Sequence, residues 1–218
     1  MTKRTFLTTL ALLCASATIA QPSGRCVSEN AELRRGLGRV SFLTPQTWQV
    51  GNQVWSDVVV AVRCQKETFS GLSSGEFNVD CRSTPESGDL FSWCAVQQFQ
   101  RQLCPRPWRV PTDADFIELN RALGGEGHVF NEDPRRMFGQ ETPEVFEGYQ
   151  NTWGLTLGGF ATQTGRYSSL GVMAYYWSAS AFDEEHGSAM IVSERNRIVN
   201  IRFPASKAQG QMVRCVRN

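Results

Sequence analysis

An α+β fold is what this 218-residue chain predicts, and three observations lead there. Two amphipathic helical patterns stand next to each other in mid-chain. A hairpin signal comes before them, and only loops and short apolar runs come after. Helices grouped in this way, rather than alternating with strands, mark an α+β arrangement and not a parallel α/β sheet. No segment recurs at a fixed period, so a repeat architecture is disfavoured.

Residues 21–40 are polar, with a charged patch Glu32-Leu33-Arg34-Arg35, and read as a lead-in carrying one short helix. From Phe42 to Arg63 the pattern changes. Trp48 and Val50 precede Gly51-Asn52, and Val54 and Trp55 follow. Apolar alternation around a Gly-Asn dipeptide is a hairpin signal, because both residues tolerate the positive φ of a tight turn. The run Val58-Val59-Val60-Ala61-Val62 is β-branched and reads as a buried strand. Residues 65–89, rich in Gly, Ser and Glu and bounded by Cys64 and Cys81, read as an exposed connecting loop.

The first helix spans 93–103 and places Trp93, Val96, Phe99 and Leu103 on one stripe. Pro105, Pro107 and Pro111 prevent its fusion with the next, since proline removes an N–H and clashes with the preceding turn. The second helix starts from Thr112 as N-cap, with Asp115 at the capping-box distance. Its stripe is Phe116, Leu119 and Leu123, and Gly124-Gly125 ends it. Residues 126–150 are acidic and loop-like. Short strands are expected at Tyr175–Trp177, Ala189–Val192, Ile198–Arg202 and Met212–Val216.

Residues 1–20 form a separate unit. Lys3 and Arg4 precede an apolar stretch, Phe6 to Leu13, and small residues ending at Ala20. This is the pattern of a secretory signal peptide, too short for a transmembrane helix, and no other run of ~18 apolar residues exists. Export to the periplasm, the outer surface or the medium is the expectation. The chain has 22 basic and 21 acidic residues. That balance offers no electrostatic footprint for nucleic acid. Beyond Cys14 stand Cys26, Cys64, Cys81, Cys94, Cys104 and Cys215. Six cysteines in an exported chain point to three disulfides, with fifteen possible connectivities. Zinc is the competing reading, but there is no CxxC, and His128 and His186 are far from paired cysteines. A lipid anchor is a minor alternative, because Leu13 and Arg25 precede the candidate cysteines where a small residue is needed.

Several fragments carry a resemblance. Gly51-Asn52-Gln53-Val54-Trp55, Gly88-Asp89-Leu90-Phe91-Ser92-Trp93 and Cys104-Pro105-Arg106-Pro107-Trp108-Arg109-Val110-Pro111-Thr112 occur in order. Leu123-Gly124-Gly125, Gly158-Gly159-Phe160, Tyr176-Trp177-Ser178-Ala179-Ser180 and Val213-Arg214-Cys215-Val216 follow. The set resembles the Fibrobacter succinogenes major paralogous domain over residues 47–218, with 21–46 as lead-in. The resemblance implies a C-type-lectin-like fold, related to the sulfatase-modifying group: two helices with small twisted antiparallel sheets, cross-linked by disulfides. It implies the pair Cys104–Cys215, closing a loop of about 110 residues and contributing ~4–5 kcal/mol in the chain-entropy model. It also implies Cys64–Cys81, and leaves Cys26 to Cys94. The chain departs from the family pattern at Ser56–Val60, at Pro107 and across 126–150.

Candidate sites are few. The sugar- and calcium-binding triplets of calcium-dependent lectins are absent, and Asp183-Glu184-Glu185-His186 reads as a solvated loop. With six cysteines in disulfides, no thiolate remains for metal or nucleophilic chemistry. No Gly-x-Ser-x-Gly elbow accompanies His128 or His186. No catalytic residue, metal or cofactor is therefore assigned. Trp55, Trp93, Trp108 and Trp177 fall in family fragments and read as core. Trp153, Tyr175 and Tyr176 remain as candidate ligand-binding residues, beside loops 126–150 and 161–174. The expected function is non-catalytic binding of a glycan or an envelope protein. The alternative is a structural subunit of a surface or outer-membrane assembly, and a hydrolase with two facing carboxylates ranks third.

Overall fold

The computed structural model describes residues 26–27, 35–64, 77–78, 81–84, 87–127 and 140–218. The expected signal peptide and His128 lie outside them, as do residues 28–34 of the lead-in and residues 65–76, 79–80, 85–86 and 128–139 of the two expected loops.

The nine-residue strand β4 (Gln53–Ala61) draws distant segments together. Strands β2 (Val40–Phe42) and β3 (Thr47–Val50) pair with its second and first halves. The β3–β4 connection is the expected two-residue hairpin, with Val50 opposite Gln53 and Gly51 at φ 57°. The last strand, β14 (Arg214–Arg217), runs antiparallel on the other side of β4. The strand ends at Ala61, and Val62 is exposed.

Two-residue strands β1 (Cys26–Val27) and β5 (Phe77–Asn78) pair in parallel. Next in sequence come β6 (Cys81–Thr84) and β7 (Gly88–Ser92). Together with β8 (Phe160–Ala161), β9 (Tyr167–Ser168) and β13 (Gly210–Gln211) they form a sheet of order β6-β7-β13-β8-β9. A meander of β10 (Met173–Ala181), β11 (His186–Ser193) and β12 (Ile198–Ser206) completes the β structure. Three of the four strands expected after residue 150 are present and extended by a few residues, because main-chain pairing continues past the apolar core of each. The fourth, expected at Met212–Val216, is broken at Met212–Val213 into β13 and β14, which pair in different sheets.

Helix α1 is Trp93–Leu103, with Ser92 accepting the Ala95 N–H at its start, and its stripe is buried as its spacing requires. Helix α2 is Asp113–Ala122. The Asp115 carboxylate accepts from both the backbone N–H and the hydroxyl of Thr112 at 2.7 Å, satisfying a terminal donor that α2 leaves open. Residues 143–152 correct the sequence reading. A third helix, α3 (Pro143–Glu147), runs into a π-helical turn at Gly148–Thr152. Thr142 caps it, Pro143 takes the first turn where no N–H is needed, and Val145, Phe146, Tyr149 and Trp153 are buried. A five-residue helix carries too few turns for periodicity to show.

Two buried clusters form the core. One surrounds α1 with Phe91, Trp177, Ala189 and Val213. The other gathers Trp55, Phe116, Leu119, Tyr149, Trp153, Tyr176 and Met212 around α2 and the π turn. Strand β4 serves both, Val59 and Ala61 facing the first and Trp55 and Val58 the second. Disulfides join Cys26–Cys94, Cys64–Cys81 and Cys104–Cys215, with Cα separations of 5.5, 5.3 and 5.6 Å. The chain is a mixed α+β protein with antiparallel sheets and three disulfides.

Candidate functional site

Of the three side chains the sequence offers for recognition, two belong to the core. Trp153 has no exposed surface and meets Trp55, Tyr149 and Tyr176 edge-on, at centroid distances of 5.6, 5.9 and 5.1 Å. Tyr176 is equally buried, and its hydroxyl donates to the Thr156 carbonyl at 2.8 Å and accepts from the Thr156 N–H at 3.0 Å. Neither ring can stack on a ligand without unfolding its surroundings. Tyr175, its direction set by the alternation of β10, is half-buried and tilted against Phe160 at 4.7 Å. The three do not form a surface.

Burial of Trp153 has a partner of opposite character. The guanidinium of Arg214, a fully buried residue, lies 4.1 Å from the Trp153 ring centroid and 4.5 Å from that of Trp48. Its Nε donates to the Ser56 carbonyl at 2.6 Å, and Nη1 to the carbonyls of Trp153 and Gly154 at 2.8 and 3.1 Å. Burial pulls its pKa down to about 10, which leaves it cationic at neutral pH. This group is structural: it fastens the end of the π turn to β4 and β14.

A surface site arises where the segment Cys104–Val110 crosses between α1 and α2. Pro105 and Pro107 supply no N–H, so the helix stops. The Trp108 N–H donates to the Pro105 carbonyl at 2.9 Å, and Arg109 exchanges two backbone hydrogen bonds with Val216, at 3.0 and 2.9 Å. The Cys104–Cys215 bridge anchors the start of the segment to the same strand. Held at both ends, it borders a cleft of about 350 Å³ lined by Gln100, Arg101, Pro105, Arg106, Trp108 and Arg109, with the buried Cys104 and Val110 behind them.

The charge of this cleft is one-sided. Arg101 and Arg106 are exposed and make no ion pair with any described residue. Arg217 lies over the Trp108 ring at 4.8 Å. Arg109 differs, because Asp115 receives both its Nη1 and Nη2, at 2.5 and 2.7 Å. Burial pushes the Asp115 carboxyl up, but the Arg109 guanidinium and the two Thr112 donors outweigh it and hold the carboxyl below its usual range. Trp108, read as core in the sequence, is only half-buried. The signal for this site was present in the spacing: three arginines between residues 101 and 109, interrupted by two prolines and a tryptophan.

Elsewhere the chemistry is sparse. His186, the first residue of β11, pairs at 2.9 Å with Asp183 of the exposed turn before it. Among the described residues, no three His, Cys, Asp or Glu side chains come together to hold a metal ion. No helix among them is long and apolar enough to cross a membrane. An apolar tip stands out instead, where Tyr167, Leu170 and Val172 are 41, 56 and 47% exposed.

In comparison with known families, the profile described as the Fibrobacter succinogenes major domain matches residues 45–217. No curated protein and no solved structure matches.

Proposed function

The chain belongs to the Fibrobacter succinogenes major domain family, and from that membership we propose that it is a non-catalytic binding module of the bacterial cell envelope or exterior. Its ligand is a glycan or a protein, and the fold is C-type-lectin-like. Support for the fold is the pairing of the last strand, β14, with β4 from the first third of the chain, with two principal helices beside small antiparallel sheets. Support for export is the set of three disulfides, which form and persist in oxidising compartments, together with the signal-peptide pattern of residues 1–20.

The observation that carries the binding reading is the arginine-lined cleft, pinned by the Cys104–Cys215 bridge and the Arg109–Val216 ladder. Pinning matters because a preorganised surface loses less entropy when a ligand settles on it. The groups in the cleft favour binding over turnover. Guanidinium groups stay protonated and cannot serve as bases, Asp115 is held by Arg109 and Thr112, and Glu118 accepts from Gln53 while its charge also acts on Arg109.

A second reading, a structural subunit of a surface or outer-membrane assembly, is favoured by the exposed tip Tyr167, Leu170 and Val172. Both readings are tested by sedimenting the purified protein with insoluble envelope material from the source cells. The binding reading expects retention that Trp108→Ala lowers several-fold, with Leu170→Ser without effect. Retention sensitive to Leu170→Ser alone transfers the function to the apolar tip. Retention unaffected by either variant rejects both.

A further inference from the structure

Around the Cys104–Val110 segment stand four arginines, Arg101, Arg106, Arg109 and Arg217, and of these only Arg109 forms an ion pair with a described residue. We propose that this cleft binds an acidic polysaccharide, one whose sugars carry carboxylate or sulfate groups. The inference rests on the binding-module reading and narrows it to a ligand class.

Three features select an anion. Arg101 and Arg106 are exposed without an ion-pair partner among the described residues. Arg217 sits over Trp108, an attraction that fixes the cation while leaving its N–H donors for other partners. Of the carboxylates near the cleft, Asp115 is already taken up by Arg109, and the charge of Glu118 falls on the same guanidinium. Guanidinium groups match carboxylate and sulfate oxygens in pairs, so an oxyanion is the complement to this site.

Two further features select a saccharide. A peptide recognised as an added strand needs free main-chain donors and acceptors. Here the Trp108 and Arg109 N–H groups are bonded to Pro105 and Val216, and Pro105 and Pro107 have none. Recognition falls to side chains, namely the guanidiniums and Gln100, which suit hydroxyls alternating with charge. A neutral sugar would want an uncovered indole face, whereas Trp108 carries Arg217 and meets Phe42 at 5.6 Å and 71°.

The test is affinity electrophoresis of the purified protein in gels containing polygalacturonate, dextran sulfate, neutral dextran or poly-glutamate. The expected result is retardation by polygalacturonate or dextran sulfate, whichever of the two identifies the oxyanion. Affinity should weaken at least about tenfold in Arg101→Gln/Arg106→Gln and decline as salt rises. Both side chains are exposed, so an unchanged melting curve shows that the double variant is folded. Equal retardation by neutral dextran, or poly-glutamate bound as tightly as polygalacturonate, overturns the acidic-saccharide inference. Failure with all four polymers overturns it as well. In that last case, retention on envelope material that Trp108→Ala still lowers keeps the binding-module reading alive, and loss of both ends it.

Discussion

Replacing Arg214 with methionine tests the most unusual element of the core. The substitution keeps much of the aliphatic stem and removes the guanidinium that lies 4.1 and 4.5 Å from the Trp153 and Trp48 rings. Three carbonyls, of Ser56, Trp153 and Gly154, lose their donor at once. Each buried acceptor left unsatisfied costs ~1–3 kcal/mol, so the loss could reach several kcal/mol. Against that stands a gain, since methionine spares the protein the desolvation of a buried cation. This cost is real here, as the depression of the Arg214 pKa to about 10 by burial shows. The net expectation is a destabilisation of about 3 kcal/mol, or a fall in Tm of roughly 6–12 °C for a domain of this size. Urea unfolding followed by tryptophan fluorescence measures it, because Trp153 and Trp48 report on the same contact. Arg214→Lys should fall between wild type and methionine, keeping the charge but not the fan of donors. A methionine variant within 1 kcal/mol of wild type would refute the claim that these hydrogen bonds outweigh the cost of burying the charge.

Two other predictions concern stability. Asp89 is buried and accepts the Ala61 N–H at 2.6 Å, yet burial raises its pKa from 3.8 to about 6. A raised carboxyl means that the fold prefers the neutral form. Stability from this group is full below about pH 4 and is lost as pH climbs through 6, by roughly 3 kcal/mol. In urea titrations from pH 4 to 7.5, Asp89→Asn should gain on wild type by that margin, and a constant difference across the window rejects the linkage. The disulfides should rank by the loops they close, which span 111 residues for Cys104–Cys215 and 17 for Cys64–Cys81. Paired alanine substitutions should cost about 4–5 kcal/mol for the first and about 3 for the second. Calorimetry showing the reverse order would place the effect in the folded state.

Where the sequence could be read, a local rule and a tertiary contact agreed. Helix α1 showed itself because Trp93, Val96, Phe99 and Leu103 recur at helical spacing and that face is buried. Helix α2 showed itself through Thr112 and Asp115, which satisfy a helix end within four residues. The β3–β4 turn did so through Gly51, whose φ of 57° few other residues accept. These are short-range constraints, and a linear text carries them.

What escaped was set by distance along the chain. Trp153, in sequence just past an expected loop, and Tyr176, on an expected strand, look like surface aromatics until α3 and the π turn gather them with Trp55 in one buried cluster and Arg214 covers the Trp153 ring. Trp108 looks like core until the Cys104–Val110 segment leaves it half-open beside three arginines. Amino-acid type alone specifies that a tryptophan must be packed or partnered, but not which partner reaches it. The sequence by itself therefore determined the α+β class, the two main helices, the hairpin and the supply of six cysteines. Only the tertiary structure decided which aromatic rings are buried and where uncompensated charge collects. Both depend on contacts such as Arg214 with Ser56 and Arg109 with Val216, which join residues more than a hundred positions apart.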